Sequence, residues 1–313
     1  MATFYPTQIQ TYVQCPRKYF FGKDRELKAK YAKASPAMLL GNAAHDALQS
    51  FFDVTKVKPP ERTVEKLHEL FRDAWAGRGL YSRNRWKQKE AREQAFGGDT
   101  PTEAAWGKKG LDMLWRFAQT ADVASVQPLT AEQFHELWLT EHITLGGKID
   151  RIDRRADGTL EVVDYKTGKP PWVKKPAGGT GGAAGDAAPA APKAPAAGDA
   201  ARRSVRPLGQ DDLQLAAYAL LVTRKFRGKV ARCTYVYLND DLDLYFEPTD
   251  EDLRTKEAEI VALCEGIRAD TTFAATPNVL CPWCEYRPIC AEGEAWVKAH
   301  EGAAGPPQED LPF

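Results

Sequence analysis

The feature that most constrains the fold of this chain is a pair of short extended segments separated by a turn. Residues 147–154 read GKIDRIDR and residues 160–167 read LEVVDYKT, so both mix apolar and charged positions. Asp157-Gly158 lies between them and is a strong signal for a β-hairpin. We therefore predict that the two segments pair as antiparallel strands.

Three charged side chains of this predicted hairpin should converge. Asp164 and Lys166 are two residues apart, so the alternation of side chains along a strand places both on one face. The same alternation places Asp150 of the first strand on the face opposite Ile149 and Arg151. We expect Asp150 to reach the same place, which brings two carboxylates and one ammonium group together.

This combination of groups suits phosphodiester hydrolysis. Carboxylates bind Mg²⁺ or Mn²⁺, and such a metal polarises a phosphoryl oxygen and activates a water molecule. A lysine beside the metal orients the water and offsets developing charge. An Asp-x-Lys tripeptide is common, so on these residues alone a surface hairpin with solvated charges is an alternative.

The rest of the chain shows helical periods first and mixed patterns later. The N-terminal third is predicted to be helical, beginning with a capping-box pattern at Thr7–Gln10, and strands begin near Glu132. Residues 177–201 are almost entirely Ala, Gly, Pro and Asp, which predicts a flexible linker. Further helices are predicted at 36–52, 64–75, 103–117, 211–226 and 249–268, and further strands at 230–238 and 242–246.

Charge and hydropathy limit the possible partners and compartments. The chain has 313 residues with 43 basic and 43 acidic side chains, so nucleic-acid binding would need a local basic patch. No apolar run approaches the ~20 residues of a membrane span, and the N-terminus lacks a signal-peptide pattern. We therefore expect a cytoplasmic protein without a membrane segment. No phosphate-binding G-x-x-x-x-G-K-[ST] loop occurs, so the sequence shows no ATP-driven motor.

The cysteines divide into two groups. Cys233 lies in an alternating strand and Cys264 beside Leu263 on a helix, which predicts buried small apolar side chains. Three of the other four, Cys281, Cys284 and Cys290, have metal-ligand spacing in CPWCEYRPIC. The fourth is Cys15, which precedes a proline near the N-terminus. Four thiolates suit either a [4Fe–4S] cluster or a structural zinc ion, and the residues alone do not separate the two.

Three motifs in chain order, together with one histidine, resemble the RecB-like PD-(D/E)xK nuclease family. The motifs are Gly147-Lys148-Ile149-Asp150, Asp164-Tyr165-Lys166-Thr167-Gly168 and Gln214-Leu215-Ala216-Ala217-Tyr218. His45, in GNAAHDAL, is similar to the histidine that this family carries on an N-terminal helix. Each motif is weak alone; their order, with cysteines outside them, makes the resemblance specific over about residues 7–290.

The resemblance implies an α/β fold with a restriction-endonuclease-like core, in which helices flank a central mixed sheet. It implies one RecB-like nuclease domain over residues 1–300, with a helical part to about residue 125 and a nuclease core of about 130–270. The linker at 177–201 interrupts that core, and a cysteine segment follows at 281–290. Residues 301–313 are expected to be a disordered tail.

The resemblance also implies the roles of the site residues. The expected ligands of Mg²⁺ or Mn²⁺ are His45, Asp150, Asp164 and the backbone carbonyl of Tyr165. The expected catalytic residues are Asp150, Asp164, Lys166, Gln214 and Tyr218. Glu136, near the start of the preceding strand, is a further candidate, with an ordinary solvated glutamate as the alternative. AddB-type nuclease domains and CRISPR-associated RecB-like exonucleases hold a [4Fe–4S] cluster, which the resemblance assigns here to Cys15, Cys281, Cys284 and Cys290.

The function expected from this resemblance is a metal-dependent DNA exonuclease in repair, recombination or CRISPR-type processing. Its substrate would be single-stranded DNA or a duplex end, and a separate helicase is a possible partner. The acidic tail Gln308–Phe313 resembles peptides that dock on replication or repair proteins, with an inert end as the alternative. A non-catalytic, cluster-bearing DNA-binding subunit of a helicase–nuclease complex is the alternative function.

Overall fold

The computed structural model describes residues 2–79, 85–170, 204–208 and 212–300, with the backbone alone at 85–88 and 206. The predicted linker at 177–201 and the predicted tail at 301–313 lie outside the described residues. Within the described part of the chain, no helix is both long and apolar enough to cross a membrane.

The N-terminal third is helical after one short strand, as predicted. Three of its helices begin at a proline, Pro6, Pro16 or Pro36, where the missing N–H leaves no hydrogen bond unmade. The elements are β1 (Ala2–Phe4), α1 (Pro6–Gln14), α2 (Pro16–Lys23), α3 (Arg25–Tyr31), α4 (Pro36–Phe52), α5 (Val64–Trp75), α6 (Arg85–Phe96) and α7 (Thr100–Thr120). The predicted bounds of α4 and α5 are confirmed. The predicted capping box is wrong, because Tyr5 precedes the first helix and makes no side-chain cap.

The rest of the described chain builds a mixed sheet and adds three helices. The elements are β2 (Pro128–Trp138), β3 (Ile143–Arg154), β4 (Leu160–Lys166), β5 (Ser204–Pro207), α8 (Leu213–Phe226), β6 (Val230–Tyr237), β7 (Leu242–Phe246), α9 (Asp250–Ala269) and α10 (Ala291–Ala299). The strand order is β1-β3-β4-β6-β7-β5, and β2 pairs with β3. The β3–β4, β2–β3 and β6–β7 pairs are antiparallel, and β4–β6 is parallel. The predicted α/β class with a helix-flanked mixed sheet is confirmed.

Each face of the sheet packs on its own set of helices. On one face, Val162 belongs to a core that includes residues of α1, α8 and α9. On the other face, Val163 belongs to a core formed with α4, α5 and α7. Adjacent residues of β4 therefore enter opposite cores, as the period of two requires. Cys233 and Cys264 are fully buried in the first core, which confirms their prediction as small apolar side chains.

The β3–β4 hairpin forms, but its turn is longer than the two residues that Asp157-Gly158 predicts. Residues 155–159 connect the strands, and Gly158 N donates to Arg155 O at 2.9 Å. Gly158 has a φ of 83°, a conformation that favours glycine. The Asp157 carboxylate accepts hydrogen bonds from the backbone N and hydroxyl of Thr159, which stabilises this loop locally.

Candidate active site

The β3–β4 hairpin brings together the carboxylates predicted from its sequence. The strands pair with Arg151 opposite Val163, and Asp150 Oδ2 accepts a 2.7 Å hydrogen bond from the backbone N of Tyr165. Asp150 and Asp164 are both buried. The backbone of Tyr165, whose carbonyl is a predicted ligand, therefore lies directly beside the first carboxylate.

The alternation of β3 changes at Asp150, which corrects one prediction. Ile149 enters the core shared with α8. Arg151 enters the opposite core, where its guanidinium lies 4.2 Å from the ring centre of Phe52. Ile149 and Arg151 therefore lie on opposite faces, whereas strict alternation predicts one face for both. On the neighbouring strand β2, Glu132 lies between Ala131, which pairs with Arg151, and Gln133, which pairs with Ile149. The backbone φ of Glu132 is 52°. This local irregularity leaves Asp150 free to turn towards α4.

Helix α4 supplies the third group of the site. Ser35 caps its first turn by accepting from Met38 N, and the helix carries His45 beside the sheet. His45 Nδ1 lies 2.8 Å from Glu132 Oε1 and 3.3 Å from Asp150 Oδ1. The ligand atoms of these three residues all lie within 4.8 Å of one another, close enough to hold one metal ion.

Glu132 is the site residue that sequence reasoning missed. Glu136, the candidate proposed from the same strand, is exposed to solvent, whereas Glu132 is only 8% exposed and contacts both His45 and Lys148. No motif in the chain marks Glu132. Glu132 could have been identified from its position opposite Asp150, but that position is known only once the register of β2 on β3 is known.

Gln214 links the carboxylate and the lysine of β4. Its Nε2 donates to Asp164 Oδ1 at 2.8 Å, and its Oε1 accepts from Lys166 Nζ at 3.2 Å. The same Nε2 lies 3.3 Å from the hydroxyl of Tyr218, one turn later on α8. Asp212 caps α8 by accepting from Leu215 N, which fixes where this helix starts. The structure thus gathers all the predicted catalytic residues at one end of the sheet.

Comparison with known proteins agrees with this geometry. The sequence model of the PD-(D/E)XK nuclease superfamily matches residues 3–291, which is nearly the whole described chain. The chain belongs to the PD-(D/E)XK nuclease superfamily. PD-(D/E)XK proteins are metal-dependent nucleases, and the group of His45, Glu132 and Asp150 is a possible metal site of this one.

Two further similarities are narrower. The chain is 48% identical over 44 residues to one subunit of the ATP-dependent helicase/deoxyribonuclease of Streptococcus mutans serotype c. That stretch is 14% of this chain and 4% of the relative, so the chain spans a small part of the relative's length. The solved structure of SSO0001 covers 93% of this chain and 86% of its own, with 14% identity and a TM-score of 0.32. A likeness at that level carries no argument about fold or function.

The two buried aspartates of this PD-(D/E)XK nuclease differ in their affinity for protons. Burial is the largest influence on Asp164 and raises its pKa to about 6, helped by Asp150 and opposed by Lys166. Burial also acts to raise the pKa of Asp150, but His45 and the Tyr165 N–H outweigh it and lower that pKa. Asp150 is therefore the more readily ionised carboxylate of the pair.

Histidine and lysine are both held in their charged forms. Burial lowers the pKa of His45, but Asp150 and Glu132 outweigh it and raise the pKa well above its usual value. Burial likewise lowers the pKa of Lys166, and the contact with Asp164 reverses the effect and raises it. Their positive charges lie beside the carboxylates of Glu132, Asp150 and Asp164.

The donor set fits a divalent cation. Asp164 Oδ2 is buried and, within the described residues, accepts no well-directed hydrogen bond, although Lys166 Nζ lies 2.7 Å away. A buried carboxylate oxygen without a directed donor is costly unless an ion or water completes its shell. Carboxylate oxygens and one imidazole suit Mg²⁺ or Mn²⁺. The carboxylates of Asp150, Asp164 and Glu132, with His45, are the residues that would hold it.

The four predicted cysteine ligands meet at a second place. Cys15 lies between α1 and α2. Cys281 begins a short helical turn, Cys281–Trp283, that Cys284 ends, and Cys290 follows a second turn, Arg287–Ile289, directly before α10. All four line one open cavity, together with Arg17 and Lys18 of α2. Asn278 N donates to Cys281 Sγ at 3.3 Å, and Gly293 N donates to Cys290 Sγ at 3.4 Å. The tertiary fold therefore joins the N-terminal cysteine to the distant C-terminal three.

The aromatic residues near Cys15 have a packing role. Tyr19 is buried, and its ring stacks on that of Phe273 with centroids 6.2 Å apart. The Tyr12 hydroxyl donates to Asp270 Oδ2 at 2.8 Å, and the ring of Phe21 contacts Tyr286. These contacts connect α1 and α2 to the segment between α9 and α10.

Proposed function

We propose that this chain is a metal-dependent DNA exonuclease that acts on single strands or duplex ends in repair, recombination or CRISPR-type processing. The observation that carries the proposal is the meeting of His45, Glu132 and Asp150 within 4.8 Å, beside a lysine 2.7 Å from Asp164. Binding alone requires no such buried charges. Hydrolysis requires them, because a metal must be held and a water molecule must be oriented.

Different residues of the site have different proposed roles in hydrolysis. A bound Mg²⁺ or Mn²⁺ would polarise the scissile phosphate and supply an activated water. The carboxylates of Asp150, Asp164 and Glu132, with the imidazole of His45, would hold the metal. Lys166 stays protonated because its pKa is raised, so it orients the water and offsets negative charge on the phosphate. Gln214 positions both groups through its two hydrogen bonds.

Cleavage of end-labelled DNA tests this proposal. Purified protein with Mn²⁺ should degrade linear single strands and leave circular single strands intact. Asp164→Asn should lower the rate by at least about 100-fold, since it removes a charged ligand. Asp157→Asn, a change in the exposed hairpin loop, should retain full activity. DNA binding without cleavage in the unchanged protein would instead favour the non-catalytic DNA-binding subunit.

The proposed second cofactor is a [4Fe–4S] cluster on Cys15, Cys281, Cys284 and Cys290. Four thiolates suit either a [4Fe–4S] cluster or a structural zinc ion. The four cysteines line one cavity, and the resemblance to cluster-bearing RecB-like nucleases supports the cluster.

The metal content of anaerobically purified protein tests this second part. We expect brown protein with iron and acid-labile sulfide and with little zinc. Cys15→Ser should lose the iron, whereas Cys233→Ala, a change at a buried cysteine of the core, should keep it. Stoichiometric zinc in colourless, active protein would contradict the cluster and leave the nuclease proposal untouched.

The proposed partners are DNA, a separate helicase and a replication or repair protein. The local similarity to one subunit of a helicase/deoxyribonuclease supports the helicase. The acidic tail Gln308–Phe313 lies outside the described residues. It is the proposed docking peptide for the replication or repair protein. Deleting residues 308–313 should leave cleavage of naked DNA unchanged and reduce recovery of that partner. Equal recovery by full-length and truncated protein would remove the tail from the proposal.

A further inference from the structure

One segment near the N-terminus of this neutral chain has a local excess of basic residues. Residues 17–33 contain seven basic and two acidic side chains, in a chain whose totals are 43 and 43. This segment comprises α2, α3 and the residues that follow α3. A protein without net charge needs such a local concentration if it is to attract a polyanion.

The basic side chains of α2 and α3 differ in their partners. Arg17 and Lys18 of α2 form ion pairs with glutamates of the cysteine segment, at 3.5 and 3.3 Å. Arg25, Lys28 and Lys33 are exposed and form no ion pair with any residue that the structure describes. By contrast, three basic residues of α9 each pair with a glutamate three positions away. The charge on and after α3 is therefore available to a partner.

Helix α3 is followed closely in the chain by α4, the helix that carries His45. Four residues separate its end from Pro36, the first residue of α4. Gly41, about 7.5 Å further along that helix, approaches the end of β4 so closely that a Cβ there would lie 3.3 Å from Thr167 Oγ1. Thr167 follows Lys166, and the next turn of α4 carries His45. The helix that begins four residues after α3 therefore carries His45 and approaches the end of β4.

We propose that Arg25, Lys28 and Lys33 form a basic strip that binds the backbone phosphates of the single-stranded DNA whose end reaches His45. The inference rests on the proposed nuclease function and adds the path of the substrate. Arg25 and Lys28 are three residues apart on α3 and share a face, and Lys33 continues the charge towards α4. Lysine and arginine on an open surface contact phosphates without reading bases, which suits a nuclease that accepts any sequence.

A second exposed basic cluster provides a matched control. Lys225, Arg227 and Lys229 are exposed and form no ion pair with any described residue. They precede Val230, which pairs with Leu160 at the start of β4, whereas Lys166 lies at the opposite end of that strand. The control cluster therefore has the same composition as the basic strip but lies at the end of the sheet away from the active site.

The experiment compares two triple variants of the full chain. The strip variant is Arg25→Gln/Lys28→Gln/Lys33→Gln, and the control variant is Lys225→Gln/Arg227→Gln/Lys229→Gln. Binding of a fluorescent single-stranded oligonucleotide is measured in EDTA by anisotropy, between about 50 and 200 mM salt. Loss of three phosphate contacts should reduce the slope of log K against log salt by about 2 and weaken binding roughly 100-fold near 0.1 M salt. The control variant should bind as the unchanged protein does.

Cleavage kinetics separate this inference from the function on which it rests. In Mn²⁺ the strip variant should show a raised KM with kcat nearly unchanged, because phosphate contacts far from the reacting bond stabilise substrate and transition state equally. If the unchanged protein binds DNA through the strip but cleaves nothing, the nuclease proposal fails and the strip stands. If both triple variants lose affinity equally, or the strip variant binds DNA as the unchanged protein does, the proposal is overturned.

Discussion

Gln214 on α8 donates a 2.8 Å hydrogen bond from Nε2 to Asp164 Oδ1 on β4, and its Oε1 accepts from Lys166. One amide therefore orients the carboxylate and the ammonium group at the same time. Gln214 is buried, so water cannot replace it readily. The hydrogen bonds come from two elements 50 residues apart in the chain, which couples the position of α8 to the geometry of the active site.

We expect Gln214→Ala to lower kcat roughly 10- to 100-fold, with a small effect on KM. The reason is that a buried carboxylate oxygen loses its donor, which costs about 1–3 kcal/mol. Tyr218→Phe removes the hydroxyl that Gln214 Nε2 contacts at 3.3 Å, so it should lower kcat less than Gln214→Ala does. Steady-state cleavage of labelled single strands measures both variants. A Gln214→Ala variant with unchanged kcat would exclude this positioning role.

Glu132→Gln should weaken metal binding by about 10- to 100-fold, because it removes a carboxylate that contacts His45 at 2.8 Å. Raised Mn²⁺ should restore part of the activity, since the other ligands are unchanged. Glu136→Gln on the same strand is the matched control and should behave as the unchanged protein, because Glu136 is exposed. Titration of activity against Mn²⁺ gives the apparent affinity. Equal behaviour of the two variants would remove Glu132 from the metal site.

Cys15→Ser should lower the thermal unfolding temperature as well as the iron content. The proposed cluster on Cys15, Cys281, Cys284 and Cys290 would join segments more than 260 residues apart, and binding to the folded state alone would add to stability. Scanning calorimetry of anaerobically purified protein measures the shift. Cys233→Ala also destabilises through a small cavity, so iron content decides between the two causes. Unchanged iron in Cys15→Ser would exclude that residue as a ligand.

Asp270 should contribute stability that depends on pH. Hydrogen bonds from the Phe273 and Thr272 N–H groups and from the Tyr12 hydroxyl lower the pKa of Asp270 to about 2. A carboxyl with a lowered pKa stabilises the folded state above its unfolded value of ~3.9, and this contribution is lost as pH falls through the folded value. The unfolding temperatures of Asp270→Ala and the unchanged protein should therefore differ most near neutral pH and converge towards pH 2. If the two unfolding temperatures differ by the same amount at every pH in that range, Asp270 makes no pH-dependent contribution to stability.

Several parts of the fold follow from local sequence. The period of two places Asp164 and Lys166 on one face of β4, and the hairpin signal at Asp157-Gly158 pairs that strand with β3. The bounds of α4 follow from Ser35-Pro36 at its start and from its apolar period. These features depend on residues close together in the chain, so the sequence contains all the information that they require. The order of the motifs then sufficed to predict the superfamily.

Other parts were decided by contacts between distant residues. Glu132 lies 87 residues from His45, and only the register of β2 on β3 places it at the candidate metal site. The change of alternation at Asp150 arises because Ile149 and Arg151 pack into different cores, which no period in the sequence records.

In the cysteine site and the basic strip, some features are likewise set by local sequence and others by tertiary contacts. The spacing of Cys281, Cys284 and Cys290 is a property of the sequence, whereas their cavity shared with Cys15 exists only after α1 and α2 fold against the C-terminal segment. The positive charge of residues 17–33 can be counted in the sequence. Which of those cations are paired depends on the glutamates that the fold brings to them. Local sequence determined the chemical groups and their spacing, and tertiary packing determined which groups meet, because side chains far apart in the chain come into contact only when the two cores form.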